Sequence, residues 1–198
     1  MILYKIMKTG IPYSISIKYY LLIVFIGINL SAQTLSVEEK KLYNLIMDYR
    51  EENGLKTIPI SKSLTIVAQT HSNDLMENYV DNDNCNLHSW SNKGNWTPCC
   101  YTPDHLESNC MWLKPSEITN YDGYGFEISF TMSKYINGKK VDGIVSANES
   151  LNGWKSRVGH NNVILNKDIW SNVEWKAIGI GIIGNYSCVW FGVELDDN

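Results

Sequence analysis

Cys85 and His88 stand three residues apart in CNLHSW, and the pair Cys99-Cys100 follows eleven residues after the histidine. Three thiols and one imidazole in so short a stretch could hold zinc, or the thiols could close disulfides and leave His88 for another task. The C-x2-H and C-C spacings fit no standard structural zinc pattern, which favours disulfides. Three further residues have types suited to chemistry. Glu127 lies in GFEISF between Phe126 and Ile128, so strand alternation turns its carboxylate away from both. Glu149 precedes His160 by eleven residues, near three helical turns, which would put both on one side of an uninterrupted helix. Two imidazoles with carboxylates suit a divalent cation or a proton-relay pair. His71 lies on an apolar helical face and reads instead as a core histidine satisfied by a hydrogen bond.

Several familiar chemistries are missing. No H-E-x-x-H or G-x-S-x-G occurs, and oxidised cysteines cannot act as nucleophiles. GIGIIG at 179–184 matches a dinucleotide pattern, but it runs along a strand into a hairpin, whereas pyrophosphate binding needs a helix to follow.

The compartment follows from the N-terminus. Met1 to Val37 carries no acidic residue, Lys5, Lys8 and Lys18 precede an apolar run, and Ser31-Ala32 supplies small residues. This order predicts a secretory signal peptide over 1–32. Its apolar run, Tyr19 to Leu30, is about 12 residues, short of the roughly 20 a membrane span needs. Cleavage after Ala32 would leave 166 residues, enough for one domain over 36–198 with a substantial core and no membrane span. It removes three lysines, leaving 14 basic against 21 acidic residues, which argues against a nucleic-acid partner. Export favours oxidation, so Cys85, Cys99, Cys100, Cys110 and Cys188 are disulfide candidates and the odd count leaves at least one unpaired within the chain. Adjacent Cys99 and Cys100 are expected to join different partners, with at least one local bridge between 85 and 110.

The elements that must position these groups are readable in outline. Ser36 and Glu39 form a capping box ahead of Leu42, Leu45, Ile46 and Tyr49 at helical spacing, and Gly54 is a stop. Ser61 or Ser63 caps a second helix with Leu64, Val67, Ala68, His71 and Leu75 on one face. Residues 81–125 are loop-rich and hold four of the five cysteines. GFEISF is a strand, Asn137-Gly138 a hairpin turn, and SANESLNGWKSRVGH a helix weakened by Gly153 and interrupted at Gly159. AIGIGII and YSCVWFGVEL alternate strictly and flank Gly184-Asn185, a two-residue loop of the type II′ kind. One face of that hairpin is apolar and needs helices against it. The other is glycine-rich and lets a second layer approach closely.

These blocks, in this order, resemble one family. LYNLIMDYREENGLKTIPISKSLTIVAQTHSNDL looks like the opening helices of the CAP superfamily, the SCP domain shared by cysteine-rich secretory proteins, antigen 5 and pathogenesis-related 1 proteins. NLHSW resembles its first histidine motif, YGFEI stands where Gly-Glu-Asn is common, and NGWKSRVGHNNVILN followed by AIGIGI is similar to the bacterial second histidine motif and closing strands. The resemblance implies an α+β fold, a three-layer α-β-α sandwich with a mostly antiparallel central sheet. It implies a cleft tetrad of His88, Glu127, Glu149 and His160, with His88 and His160 binding Zn2+ or another divalent cation. YGFEI departs from the pattern on both sides of the acid, and Glu149 stands in a helix unlike the eukaryotic one. A secreted, non-enzymatic binding module is expected, with a lipid, sterol or extracellular protein as ligand. Its metal affinity should drop as pH falls through about 6.5. An extracellular hydrolase using Glu127 or Glu149 with histidine or metal is the alternative, and a purely structural module the third reading.

Overall fold

A Ser-x-x-Glu pair starts the first helix. Ser36 Oγ accepts from the Glu39 N–H and the Glu39 carboxylate accepts from the Ser36 N–H, closing the capping box on α1 (Val37–Glu52). Leu42, Ile46 and Met47 bury its inner face. Ser61 caps α2 (Lys62–Asn78), whose buried stripe includes Leu64, Val67, Ala68, His71 and Leu75. The structure, a computed structural model, describes residues 34–79, 84–132, 134–136, 139–141 and 143–196. These residues fall in a single compact unit. The expected signal peptide and the Asn137-Gly138 turn lie outside the described residues, although the strands either side of that turn, β2 (Lys134–Ile136) and β3 (Lys139–Val141), pair antiparallel.

The central sheet has the order β1-β5-β4, all antiparallel, from β1 (Gly125–Thr131), β4 (Ala177–Ile183) and β5 (Tyr186–Gly192). The β4–β5 hairpin turns at Gly184-Asn185. Gly184 has φ +56° and Asn185 is not in the left-handed region, which is the φ pattern of a type II′ turn. GIGIIG therefore lies on a strand and its hairpin.

Register divides the sheet into two unlike faces. Phe126, Ile128 and Phe130 stand beside Phe191, Val189 and Ser187, and those beside Ile178, Ile180 and Ile182. This apolar face packs with α1, α5 (Ala147–Lys155) and α6 (Val158–Ile164) around Trp154, Ile164 and Trp175. The other face presents Glu127 and Ser129, then Trp190 and Cys188, then Gly179 and Gly181, and α2 lies across it. A Cβ on Gly179 would overlap the Leu64 backbone, and one on Gly181 the Ala68 backbone. The glycines thus set how closely α2 approaches and how near His71 comes to β1. The result is the expected α+β arrangement, with helices on both faces of an antiparallel sheet.

Two details differ from the sequence expectation, and a third settles what it left open. The 81–125 segment contains two short helices, α3 (Ser108–Trp112) and α4 (Lys114–Ile118). The helical break falls at Ser156–Arg157, between α5 and α6, and Gly159 sits inside α6. The cysteines pair as Cys85–Cys100 and Cys99–Cys110, leaving Cys188 as a buried free thiol. The neighbouring cysteines do join different partners, and the zinc-knuckle arrangement is ruled out because Cys85, Cys99 and Cys100 are all bridged.

Candidate functional site

Glu127 organises the polar face of the sheet. Its side chain is sealed from solvent, and each carboxylate oxygen takes one imidazole: Oε1 meets His71 Nδ1, and Oε2 meets His88 Nδ1 at 2.7 Å. Burial alone would raise its pKa, but the charge of His71 and the hydrogen bonds from His71 and His88 outweigh that and hold it down at about 2. Glu127 is a carboxylate at any ordinary pH.

That fixes what the histidines must do. His71 Nε2 faces the Ser89 carbonyl at 3.0 Å while Nδ1 faces Glu127. Both ring nitrogens meet acceptors, so both donate and His71 is an imidazolium. Its ring lies stacked on Trp90, centroids 4.2 Å apart and 7° from parallel, with the Trp190 ring edge-on at 6.4 Å. An aromatic face is a favourable place for a buried cation. The sequence reading as a hydrogen-bonded core histidine describes its burial, but not its role in clamping the site's carboxylate. What would have pointed to that role is an ionisable side chain on the helix face opposite a strand carboxylate.

His88 reaches Glu127 from the bridged loop. The Cys85–Cys100 disulfide ties its base, Asn86 N–H donates to the Tyr101 carbonyl (2.9 Å), and Trp90 and Cys99 exchange backbone hydrogen bonds of 2.7 and 3.0 Å. The His88 N–H then donates to Asn86 Oδ1 at 2.9 Å. Donation from Nδ1 to Glu127 leaves Nε2 of the neutral ring as the lone-pair nitrogen. A carboxylate holding one imidazole nitrogen so that the other can bind a metal is the usual outer-shell arrangement of metal sites.

His160 comes from the opposite side, on the first turn of α6. Tyr49 OH donates to Asn161 Oδ1 (3.0 Å) and Trp175 Nε1 to the Val163 carbonyl (2.9 Å), which anchor that helix. The His160 ring stands perpendicular to His88, centroids 6.3 Å apart. Its Nδ1 is buried without a hydrogen-bond partner among the described residues. Burial, then repulsion from Arg157 and from His88 whenever that ring is protonated, pushes its pKa down to about 4 against a smaller opposing pull from Glu127. It is a neutral imidazole with an unused nitrogen.

The structure therefore brings His88, Glu127 and His160 together and adds His71. It places Glu149 elsewhere. Glu149 is the third residue of α5 and its Oε2 accepts from the Ser146 N–H (2.7 Å) and Oγ (2.8 Å), a complete capping box. The helix on which Glu149 and His160 were to align is broken between them, and the charges acting on His160 are those of His88, Arg157 and Glu127. The second acid of the expected tetrad is thus corrected to a helix cap. His71, Glu127 and Cys188 also bring ligand atoms within 4.8 Å of one another. The first two are bonded to each other, and burial raises the Cys188 thiol well above its usual range, so that trio is already satisfied as it stands.

No protein-family model matches the sequence, and no curated protein matches it. Solved structures do. An extracellular protein containing an SCP domain, from Bacillus anthracis, aligns over 79% of this chain with a TM-score of 0.51 and 13% identity. This chain spans 40% of that protein's length. An outer surface protein from Borrelia burgdorferi aligns over 78% of this chain and 91% of its own, with a TM-score of 0.47 and 18% identity. A cysteine-rich secretory protein from Staphylococcus aureus aligns over 79% of this chain and 38% of its own, with a TM-score of 0.48 and 14% identity. The antiparallel sheet flanked by helices, with two histidines converging on a strand carboxylate, is thus built on the fold of the SCP domain.

Proposed function

We propose that this chain is an extracellular binding module of the SCP type, in which His88 and His160 hold a divalent cation, Zn2+ foremost. The observation that carries the reading is the buried Nδ1 of His160, without a hydrogen-bond partner among the described residues, beside an imidazole already oriented by Glu127. Two neutral imidazoles suit zinc. Rings sharing one tetrahedral ion through bonds of about 2 Å lie roughly 5 to 5.5 Å apart between centres, so the observed 6.3 Å calls for the two rings to close by about 1 Å on binding. Bound there, the cation would supply a Lewis-acidic point for a polar group of a ligand. An oxidising compartment is supported by the two disulfides in the loop that carries His88. Among the described residues no helix is long and apolar enough to cross a membrane.

A binding role is favoured over hydrolysis by the state of Glu127. A general base needs a free lone pair and a pKa near the working pH. Glu127 gives both oxygens to histidines and is held at about 2, and Glu149 is engaged at a helix terminus. The ligand classes suggested by the resemblance are lipids, sterols and extracellular proteins. A cavity of about 430 Å³ beside the bridged loop, lined by Trp90, Tyr79, Leu75 and Pro98, offers such a ligand space.

Zinc calorimetry near neutral pH tests the proposal. One ion should bind the wild-type chain, His160→Ala and His88→Ala should each weaken it at least tenfold, and Glu149→Gln should leave it unchanged. Equal binding by His160→Ala would remove the cleft-metal reading. Because burial keeps His160 neutral, its nitrogen stays in the metal-binding form down to about pH 4, below the 6.5 expected of an ordinary imidazole.

A further inference from the structure

Arg50 ends α1 as a cation in the last turn, an ordinary place for one, yet it is only 4% exposed. Its guanidinium is held by neutral acceptors: Nε donates to the Lys56 carbonyl (3.1 Å), and Nη1 to the Ile164 carbonyl (2.5 Å) and Asn166 Oδ1 (2.8 Å). Among the described residues it has no carboxylate partner. A buried charge without a counter-ion is costly and calls for an explanation. Joining the ends of α1 and α6 accounts for Nε and Nη1. It does not account for Nη2, which donates to nothing among the described residues and is not sealed from solvent.

Arg50 lines a cavity of about 490 Å³ with a distinct electrostatic character. Lys56 and Lys176 line it as well, against a single carboxylate, Glu174, while Trp175 and Val173 supply apolar wall. None of these residues belongs to the histidine site.

We propose that this cavity binds a small organic anion, whose carboxylate or phosphate head accepts from Nη2 of Arg50 while Trp175 and Val173 contact its apolar remainder. Arg50 comes pre-positioned, because its other donors are held by two backbone carbonyls and the Asn166 side chain, so little side-chain entropy is lost on binding. Lys56 and Lys176 are exposed and act through longer-range attraction, which screens with salt. The inference is independent of the metal reading.

Benzoate, phenyl phosphate and neutral benzyl alcohol are the probes, titrated at low salt into the wild-type chain and into a Lys56→Ala/Lys176→Ala double variant. The two lysines can be removed without touching the bonds Arg50 makes. At least one anion should bind the wild type at millimolar concentration or below and weaken about tenfold in the double variant, with benzyl alcohol not binding. Which anion binds more tightly identifies the head group. A smaller drop should accompany Arg50→Lys, read on protein that still melts cooperatively. The proposal is overturned if neither anion binds, if benzyl alcohol binds as well as they do, or if the double variant matches the wild type.

Discussion

The two faces of the central sheet are made from opposite materials. One carries Ile128, Ile178, Ile180, Val189 and Phe191 against a largely apolar layer of helices, where Ser150 meets Ser187 and Glu39 takes the Ile182 N–H as polar exceptions. The other carries Glu127, Cys188 and two bare glycines against α2, and the Glu127 carboxylate there is held by His71 and His88. The apolar face can absorb small changes of shape, because dispersion and burial are not directional. The polar face cannot, because a displaced helix leaves a carboxylate and an imidazolium unpaired out of water. Stability is spread over the first face, and function is concentrated on the second.

The sharpest way to break this contrast is a matched pair of substitutions at neighbouring positions of β4. Gly181→Val drives a side chain into the Ala68 backbone and should destabilise by about 4 kcal/mol or more, or prevent folding. Ile180→Val, one residue away on the other face, should cost about 1 kcal/mol. Denaturant unfolding gives both, and similar losses would end the distinction between the faces.

Glu127→Gln keeps the shape and removes the charge. His71 then has no carboxylate for its proton, so a loss of about 3 to 5 kcal/mol is expected, with zinc binding also weakened. A loss below about 1 kcal/mol would show that the carboxylate is not the centre of the polar face.

Acid should weaken the polar face in two adjoining windows. Free histidine titrates near 6.5 and His160 in the fold near 4, so between those values the unfolded chain binds the proton and the folded chain does not. Stability therefore falls as pH drops through this window, by on the order of 3 kcal/mol in total. Glu127 has the opposite chemistry but the same direction. Its pKa is depressed from 4.5 to about 2, so its contribution is complete above 4.5 and is lost as pH falls towards 2. Unfolding midpoints measured from pH 7 to 3 should decline throughout, and His160→Gln should flatten the upper part only. An unchanged slope in His160→Gln would contradict the burial of that ring.

Much of this was legible from local pattern. The capping box at Ser36, the strict alternation of the last two strands, the glycine face and the separate partners of Cys99 and Cys100 are signals carried within a few residues. The strand carrying Glu127 was legible too, as was the direction of its side chain. What was not legible depends on contacts between distant elements. His71 and Glu127 are 56 residues apart, and their meeting follows from how closely α2 lies on the glycines. Glu149 was misread for the opposite reason. S-A-N-E at Ser146 is itself a capping-box signature, and that local hydrogen bonding accounts for the carboxylate without a cleft. The helix break was placed at Gly159 because glycine is the usual breaker, whereas the chain bends at Ser156–Arg157, where Ser156 closes α5 on Asn152 and Trp154.

The central claim is that one carboxylate orients two imidazoles, so that His71 is fully bonded and His88 and His160 each keep a nitrogen for a ligand. Nitrogen-15 spectra of the histidine rings, with and without zinc, test it directly. Near neutral pH His71 should be doubly protonated and His88 should carry its proton on Nδ1, with zinc shifting His88 Nε2 and a nitrogen of His160 while leaving His71 unmoved. Zinc shifting His71 instead, or a His88 proton found on Nε2, would contradict it.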